Sequence, residues 1–187
     1  QGVHLMFGVT IDHMEQENGE KTAVLTDGSR IPADIVGLCI GTRAITDTVQ
    51  GEVEIGRGIV VDDHMRTSVP GIYAAGDCCE GNNLESGQNQ IIGLWANANH
   101  QGETAGINMA GGDMAYKGNI LHYITHFMNM DFIGFGDNRM QGEVLEYGSL
   151  SEDLYIRLVL DGKRIVGANI LDNYRVSGII KNYMLRL

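Results

Sequence analysis

Apolar residues come in short bursts over residues 3–40, a pattern that predicts strands joined by tight turns. A β-rich segment over roughly 3–14 opens with Val3-His4-Leu5-Met6-Phe7-Gly8-Val9 and runs on to Asn18-Gly19, a hairpin turn signal. Thr22 to Leu25 follows, then Asp27-Gly28, a second such signal. Ile35-Val36-Gly37-Leu38-Cys39-Ile40 is almost continuously apolar, as for a strand buried on both faces of a parallel sheet, and it stops at Gly41-Thr42-Arg43. A meander feeding a buried strand that ends at glycine matches the edge of an α/β nucleotide-binding domain. The chain enters its first strand almost directly from Gln1, which reads as a piece of a longer polypeptide.

Further along, Ile59-Val60-Val61 predicts a short strand, and Pro70-Gly71 fits the two central positions of a type II turn. Ile72-Tyr73-Ala74-Ala75 predicts a short buried strand with Gly76-Asp77 at its carboxyl end. Leu94 to Met109 is helical in period, with Leu94, Ala98, Gln101/Gly102, Ala105 and Met109 near one face and Gly111-Gly112 as its stop. From about Tyr116 aromatics and methionines become more frequent, which places a domain boundary near residue 114. Beyond it, Ile120 to Met128 predicts a helix and Phe132 to Phe135 a strand entering a Gly-rich turn. Leu154 to Leu160 and Ile165 to Leu171 form a hairpin across Asp161-Gly162, and an amphipathic helix runs from about Tyr174 to the end.

Composition narrows the function. The formal net charge of −11 argues against nucleic acid and anionic membranes, both of which select clustered Lys and Arg. No apolar run is long enough to cross a bilayer. Cys39, Cys78 and Cys79 give no disulfide framework, so a reducing cytoplasm is the natural compartment.

The end of the Ile72–Ala75 strand carries the chemistry. In open α/β sheets ligands sit beyond the carboxyl ends of strands. A glycine there admits a cofactor close to the backbone, and the following carboxylate of Asp77 accepts hydrogen bonds from sugar-like hydroxyls. The plainer alternative is a strand end with a polar turn residue. Arg66-Thr67-Ser68-Val69-Pro70-Gly71-Ile72-Tyr73-Ala74-Ala75-Gly76-Asp77 closely resembles the second FAD fingerprint of the pyridine nucleotide-disulfide oxidoreductases. The similarity continues through Leu94-Trp95-Ala96-Asn97-Ala98-Asn99-His100-Gln101-Gly102 and through Asn108-Met109-Ala110-Gly111-Gly112. It looks nearest to the branch of NADH oxidases, coenzyme A disulfide reductases and nitrite reductase flavoproteins. Upstream, residues 33–43 are similar to the segment leaving the NAD domain. Downstream, Ile165-Val166-Gly167-Ala168 and Ser177-Gly178-Ile179-Ile180 look like the C-terminal dimerisation domain.

The resemblance implies an α/β fold: part of a flavoprotein with two dinucleotide-binding domains, plus a C-terminal α+β dimerisation domain. Residues 1–45 would end the NAD-binding domain, 46–114 would form the C-terminal part of the FAD-binding domain, and 115–187 the dimerisation domain. It further implies FAD and NAD(P)H as cofactors, a homodimer, and a protein or small-molecule electron acceptor. Gly76 and Asp77 are carried over for the ribityl region, Leu94, Trp95 and Ala96 for the flavin ring, and Gly41 for lining the cofactor groove. Trp95 stands where the family often has a small residue, and reads either as a cover for the ring or as a core or interface aromatic.

Several features depart from the family pattern or tempt a different reading. Neither Gly56-Arg57-Gly58, followed by Val61, nor Gly134-Phe135-Gly136, followed by Arg139, completes a GxGxxG loop. Cys78-Cys79 lacks C-x-x-C spacing and reads as ordinary small buried residues. His122 and His126 stand one helical turn apart, but Tyr123 breaks the H-E-x-x-H zinc pattern, and no metal is expected. The Met and aromatic cluster of 123–135 reads as core or dimer interface, and Arg43 as a surface ion pair or, alternatively, as a contact to a phosphate. A dimerisation or interaction module without cofactor is the alternative to the enzyme reading.

Overall fold

Asn18 and Gly19 both adopt positive φ, 51° and 87°, the conformation that a two-residue hairpin of type I′ requires. They join β1 (Ile11–Glu17) to β2 (Glu20–Leu25). The second turn is built on Gly28, φ +84°, whose N–H donates to Leu25 C=O at 2.9 Å, and it leads into β3 (Arg30–Pro32). The result is an antiparallel sheet in the order β1-β2-β3, which belongs to the unit Gln1–Thr42. The structure is a computed structural model and describes residues 2–49, 51–127, 129–137, 141–149, 151 and 154–186.

Two expectations for this unit are corrected. Residues 3–10 form no strand, and neither do residues 35–40. Ile35 is 91% exposed and Ile40 84%. A parallel-sheet strand exists only through hydrogen bonds to neighbouring strands, and no described residue pairs with this run.

The second unit is Arg43–Leu187. Its first part holds little regular strand. The strands expected at 59–61 and 72–75 reduce to isolated bridges, Ile59↔Cys79 and Arg66↔Tyr73, and a short hairpin pairs β4 (Gly81–Asn82) with β5 (Asn89–Gln90). Their apolar side chains are nonetheless interior. Val53, Ile59, Val61, Met65, Ala74, Cys79, Ala105 and Tyr116 form one core cluster, with α1 (Trp95–Met109) supplying Ala105.

The buried face of α1 keeps Gln101 and Ala105 from the predicted one and differs in the rest. Met109 is 67% exposed, whereas Asn97, Gln101, Thr104, Ala105 and Asn108 are buried. Four polar side chains at helical spacing therefore face the interior, and most of their polar atoms are paired. Tyr116 Oη donates to Asn97 Oδ1 at 2.5 Å, and Asn97 Nδ2 donates to Ile92 C=O at 3.1 Å. Asn108 Nδ2 donates to His64 C=O and to Met114 C=O, and its Oδ1 accepts from Met114 N–H.

The remainder is a five-stranded antiparallel sheet in the order β6-β7-β10-β9-β8, made of β6 (His122–Phe127), β7 (Met130–Gly136), β8 (Glu143–Ser149), β9 (Leu154–Asp161) and β10 (Arg164–Leu171). The helix expected over 120–128 is β6 instead, with Met128 outside the described residues. Tyr123, Ile124, Thr125 and Phe127 are β-branched or aromatic and pair with the facing strand β7, which outweighs the helical spacing of His122 and His126. The final helix α2 (Tyr174–Leu185) is capped by Asn173, whose side chain accepts from Val176 N–H at 3.1 Å, and Leu187 lies outside the described residues. It lays Ile180 and Met184 on Ile133, Phe135, Ala168 and Ile170 to close a second core. Tyr123 and Phe132, predicted as core or interface, stack on one another at 6.2 Å with substantial exposure.

Candidate functional site

The local chain path explains how the corner at Gly76-Asp77 is formed. Gly71 has φ +83° and Ile72 N–H donates to Val69 C=O at 3.2 Å, which closes the type II turn at Pro70-Gly71. Thr67 Oγ1 donates to Ile72 C=O at 3.0 Å and secures the returning strand. Asp62 Oδ1 accepts from His64 N–H and Arg66 N–H, which holds the turn around fully buried Met65. Ala74 is thereby set in the core, and the chain turns at Gly76 with φ +84°. A side chain in this left-handed conformation is strained by roughly 1–2 kcal/mol, which accounts for glycine there.

Cys79 N–H donates to Gly76 C=O at 3.1 Å, so residues 76–79 form a tight turn with Asp77 at its tip. Gly76 is buried and Asp77 is exposed. The Cys79 thiol is wholly buried, and that burial pushes its pKa up to about 12, with smaller contributions from the charges of Cys78, Glu80 and Asp77. It is a packed thiol and not a nucleophile.

The amino end of α1 lies beside this turn. A Cβ built on Gly93 would sit 4.0 Å from Asp77 Oδ2, so the carboxylate stands next to the backbone that enters the helix. Leu94 is the N-cap in extended conformation and makes no side-chain cap, and the first turn carries no acidic residue. The N–H groups of Trp95, Ala96 and Asn97 have no acceptor within the helix, because the first intrahelical donor is Ala98 N–H to Leu94 C=O at 2.9 Å. An acceptor carboxylate for hydroxyls and a set of free donors at a positive dipole end are thus adjacent.

The five predicted residues Gly76, Asp77, Leu94, Trp95 and Ala96 are brought together around this turn. Trp95 is 82% exposed, which removes the core reading of its indole. Gly41, the sixth, lies in the unit Gln1–Thr42, exposed and with φ +94°. The Gly56-Arg57-Gly58 loop has its amides already engaged, since Glu80 Oε1 accepts from Arg57 N–H at 2.7 Å and Gly58 N–H at 3.1 Å. His122 does not face His126 across a helical turn. It is half-buried on β6, and desolvation, with the nearby Lys181 charge, lowers its pKa.

The sequence reading placed Gln101 on the packed face of α1 without giving it a role, and missed Asn97 and Asn108. Gln101 Oε1 accepts from Gly76 N–H at 2.8 Å, tying the Asp77 turn directly to α1. The available signal was the helical spacing of Asn97, Gln101 and Asn108, which reads equally well as a wet face.

Residues 1–102 match the family model described as pyridine nucleotide-disulphide oxidoreductase. The chain is 32% identical over 155 residues to an NADH-rubredoxin oxidoreductase of Clostridium acetobutylicum, covering 82% of this chain and 39% of that protein. Among solved structures it is similar to a FAD-dependent pyridine nucleotide-disulphide oxidoreductase from Desulfovibrio vulgaris, with TM-score 0.76, 25% identity, and coverage of 94% and 47%. It is also similar to the water-forming NADH oxidase from Lactobacillus brevis bound to NADH, with TM-score 0.78, 25% identity, and coverage of 94% and 43%. The chain spans less than half the length of each of these relatives. No helix among the described residues is long and apolar enough to cross a membrane. With the fingerprint at residues 66–77 inside the matched span, the chain belongs to the pyridine nucleotide-disulphide oxidoreductase family.

Proposed function

We propose that this chain is the C-terminal portion of a FAD-dependent NAD(P)H oxidoreductase of the cytoplasm. Residues 46–114 supply the carboxyl-terminal side of the FAD site, residues 1–45 end the NAD domain, and residues 115–187 form the dimerisation domain of a homodimer. The observation that carries the reading is the exposed Asp77 carboxylate held beside the uncapped amino end of α1. When bound, the flavin would accept a hydride from NAD(P)H and pass electrons to a protein or small-molecule acceptor.

The residues present fit such a group. Gly76 is buried, with its N–H on Gln101 Oε1 and its C=O on Cys79 N–H, so it shapes the turn at the ribityl region, and Asp77 accepts hydrogen bonds from the hydroxyls of the ribityl chain. The free N–H groups of Trp95 and Ala96 hold the negative charge that builds up on the ring's pyrimidine edge, and the helix dipole adds to it. Trp95, projecting at the helix start, narrows the approach to the ring.

The test is a FAD titration of the full-length protein, followed by flavin fluorescence. Asp77→Ala is expected to weaken binding by about 10- to 100-fold, the value of a charge-assisted hydrogen bond. An unchanged affinity would overturn the assignment. The exposed apolar side chains of the sheet unit, Phe127 (62%), Tyr147 (66%) and Ile179 (66%), favour self-association as a second role. Sedimentation with and without FAD separates a flavin-dependent dimer from a cofactor-free interaction module.

A further inference from the structure

Gln101 is wholly buried, although an apolar side chain of similar volume would fill the same space without needing a hydrogen bond. Its Oε1 lies 2.8 Å from Gly76 N and 3.6 Å from Cys79 Sγ. Gly76 N–H is a donor, so the amide oxygen, and not the nitrogen, must face it, while the one Cys79 S–H proton also has Gly76 C=O at 3.5 Å. Gly76 and Cys79 are the two ends of the tight turn that carries Asp77, which Cys79 N–H closes onto Gly76 C=O. One side-chain oxygen therefore ties the start of the Asp77 turn to the helix whose amino end stands beside the carboxylate, and lies against the turn's other end.

From this arrangement we propose that Gln101 is a positioning residue for flavin binding: it sets the distance between the Asp77 carboxylate and the free N–H groups at the start of α1. The proposal rests on the flavin reading given above. The two contacts to the cofactor come from segments far apart in sequence, and the amide of Gln101 makes them one rigid element.

Gly81 is the second part of the same device. The nitrogen of the Gln101 amide is buried without a hydrogen-bond partner among the described residues, and it lies where a Cβ on Gly81 would meet it at 2.4 Å. A side chain at position 81 would displace the amide, and with it the acceptor for Gly76 N–H. Gly81 is not in the left-handed region, so a substitution there acts through this collision, with Tyr116 Cε1 also crowded at 3.1 Å, and not through backbone strain. The unpaired nitrogen also separates stability from function. Gln101→Met removes an unfavourable buried donor together with a favourable acceptor, so the folded state can hold while the Asp77 turn loses its anchor.

The experiment is a double-mutant cycle on FAD affinity in the full-length protein, with Asp77→Ala, Gln101→Met and the double variant. Gln101→Met is expected to weaken FAD binding by about tenfold, equivalent to roughly 1.4 kcal/mol, and to add almost nothing when Asp77 is already alanine. Additive losses in the double variant would show that Gln101 acts independently of Asp77 and overturn the proposal. Unchanged affinity in Gln101→Met beside a weakened Asp77→Ala would overturn it while leaving the flavin reading standing. Unchanged affinity in Asp77→Ala would remove the flavin reading, and this inference with it.

Should Gln101→Met fail to fold, two other variants decide the matter. Gly81→Ala is expected to reproduce the loss, and tight FAD binding in that variant would count against the proposal. Gln101→Glu keeps a neutral carbonyl acceptor in the same place while protonated, and becomes a buried charge near Asp77 once ionised. At about pH 5.5 it is expected to bind FAD as the parent does, and a loss as large as that of Gly81→Ala would count against the positioning role.

Discussion

Glu85 offers a direct measurement of what burial does to a carboxyl group in this fold. The residue is 8% exposed, and its Oε1 accepts from Leu121 N–H at 3.2 Å. Its Oε2 is buried with no hydrogen-bond partner among the described residues. Burial pushes its pKa from the ordinary 4.5 to about 7, against the opposing hydrogen bonds from Asn83 and Leu121, and the Asp137 charge adds to the rise. Below pH 4.5 the group is neutral in both the folded and the unfolded chain and has no effect on stability. Between 4.5 and about 7 the unfolded chain gives up the proton while the folded chain keeps it, so stability falls as pH rises. Above that range the penalty is constant. At about 1.4 kcal/mol per pH unit, and allowing for screening at the edge of the core, the gap is a penalty of about 2–3 kcal/mol.

Glu85→Gln keeps the acceptor for Leu121 N–H and never ionises. Its amide leaves the same buried atom unpaired as the neutral acid does, so the two proteins should be equally stable in acid. The assay is urea unfolding of both proteins across this pH range. The variant is expected to match the parent near pH 4.5 and to exceed it by about 2–3 kcal/mol near pH 8. Comparing the two cancels every other titrating group. A difference independent of pH, or a variant less stable than the parent at the alkaline end, would refute the reasoning.

Other expectations follow from single features. At about pH 8 a thiol reagent should modify exposed Cys39 rapidly and leave buried Cys79 untouched until the protein unfolds; rapid labelling of Cys79 in a Cys39→Ser variant would contradict its burial. Gly136→Ala places a Cβ 2.1 Å from Val166 C=O at φ +65°, and should destabilise the protein by at least about 3 kcal/mol in thermal melts. Gly162→Ala, at φ +60° with nothing within 4 Å, should cost only about 1–2 kcal/mol; equal losses at the two sites would mean that collision adds nothing to strain.

What the sequence revealed depended on whether the deciding partner was near or far. The hairpin of β9 and β10 was legible because Gly162 provides the positive φ of a two-residue turn between two alternating runs. α2 was legible because Ile180 and Met184 fall one helical turn apart on its buried face. The Asn18-Gly19 hairpin carried its geometry in two residues. The buried face of α1 was only partly legible: Gln101 and Ala105 were placed on it, but Asn97 was not, since Tyr116 and Asn119, which pair with its Oδ1, are remote in sequence. Those partners stand 19 and 22 residues away. β6 was misread for a similar reason: its backbone partners are on β7, whereas the spacing of His122 and His126 is a local signal. In the candidate site, Gly76 and Asp77 were readable from their motif and Leu94 from the helix start. Gln101, which ties Gly76 to the helix, was placed on the packed face, but nothing local pointed to its partner.

The interior amides of α1 also bear on how this protein can be re-engineered. A helix seated on leucines tolerates small slips, because one methyl contact substitutes for another. Asn97, Gln101 and Asn108 instead meet their acceptors and donors at set angles, so the helix has one register, and a shift by a single residue unpairs all of them together. A chimera that borrows this helix from a relative must therefore import the matching residues at 116 and 119 as well. Helix and receiving loops are exchangeable as a set, and the natural unit of recombination here is a network of amides and not a stretch of chain.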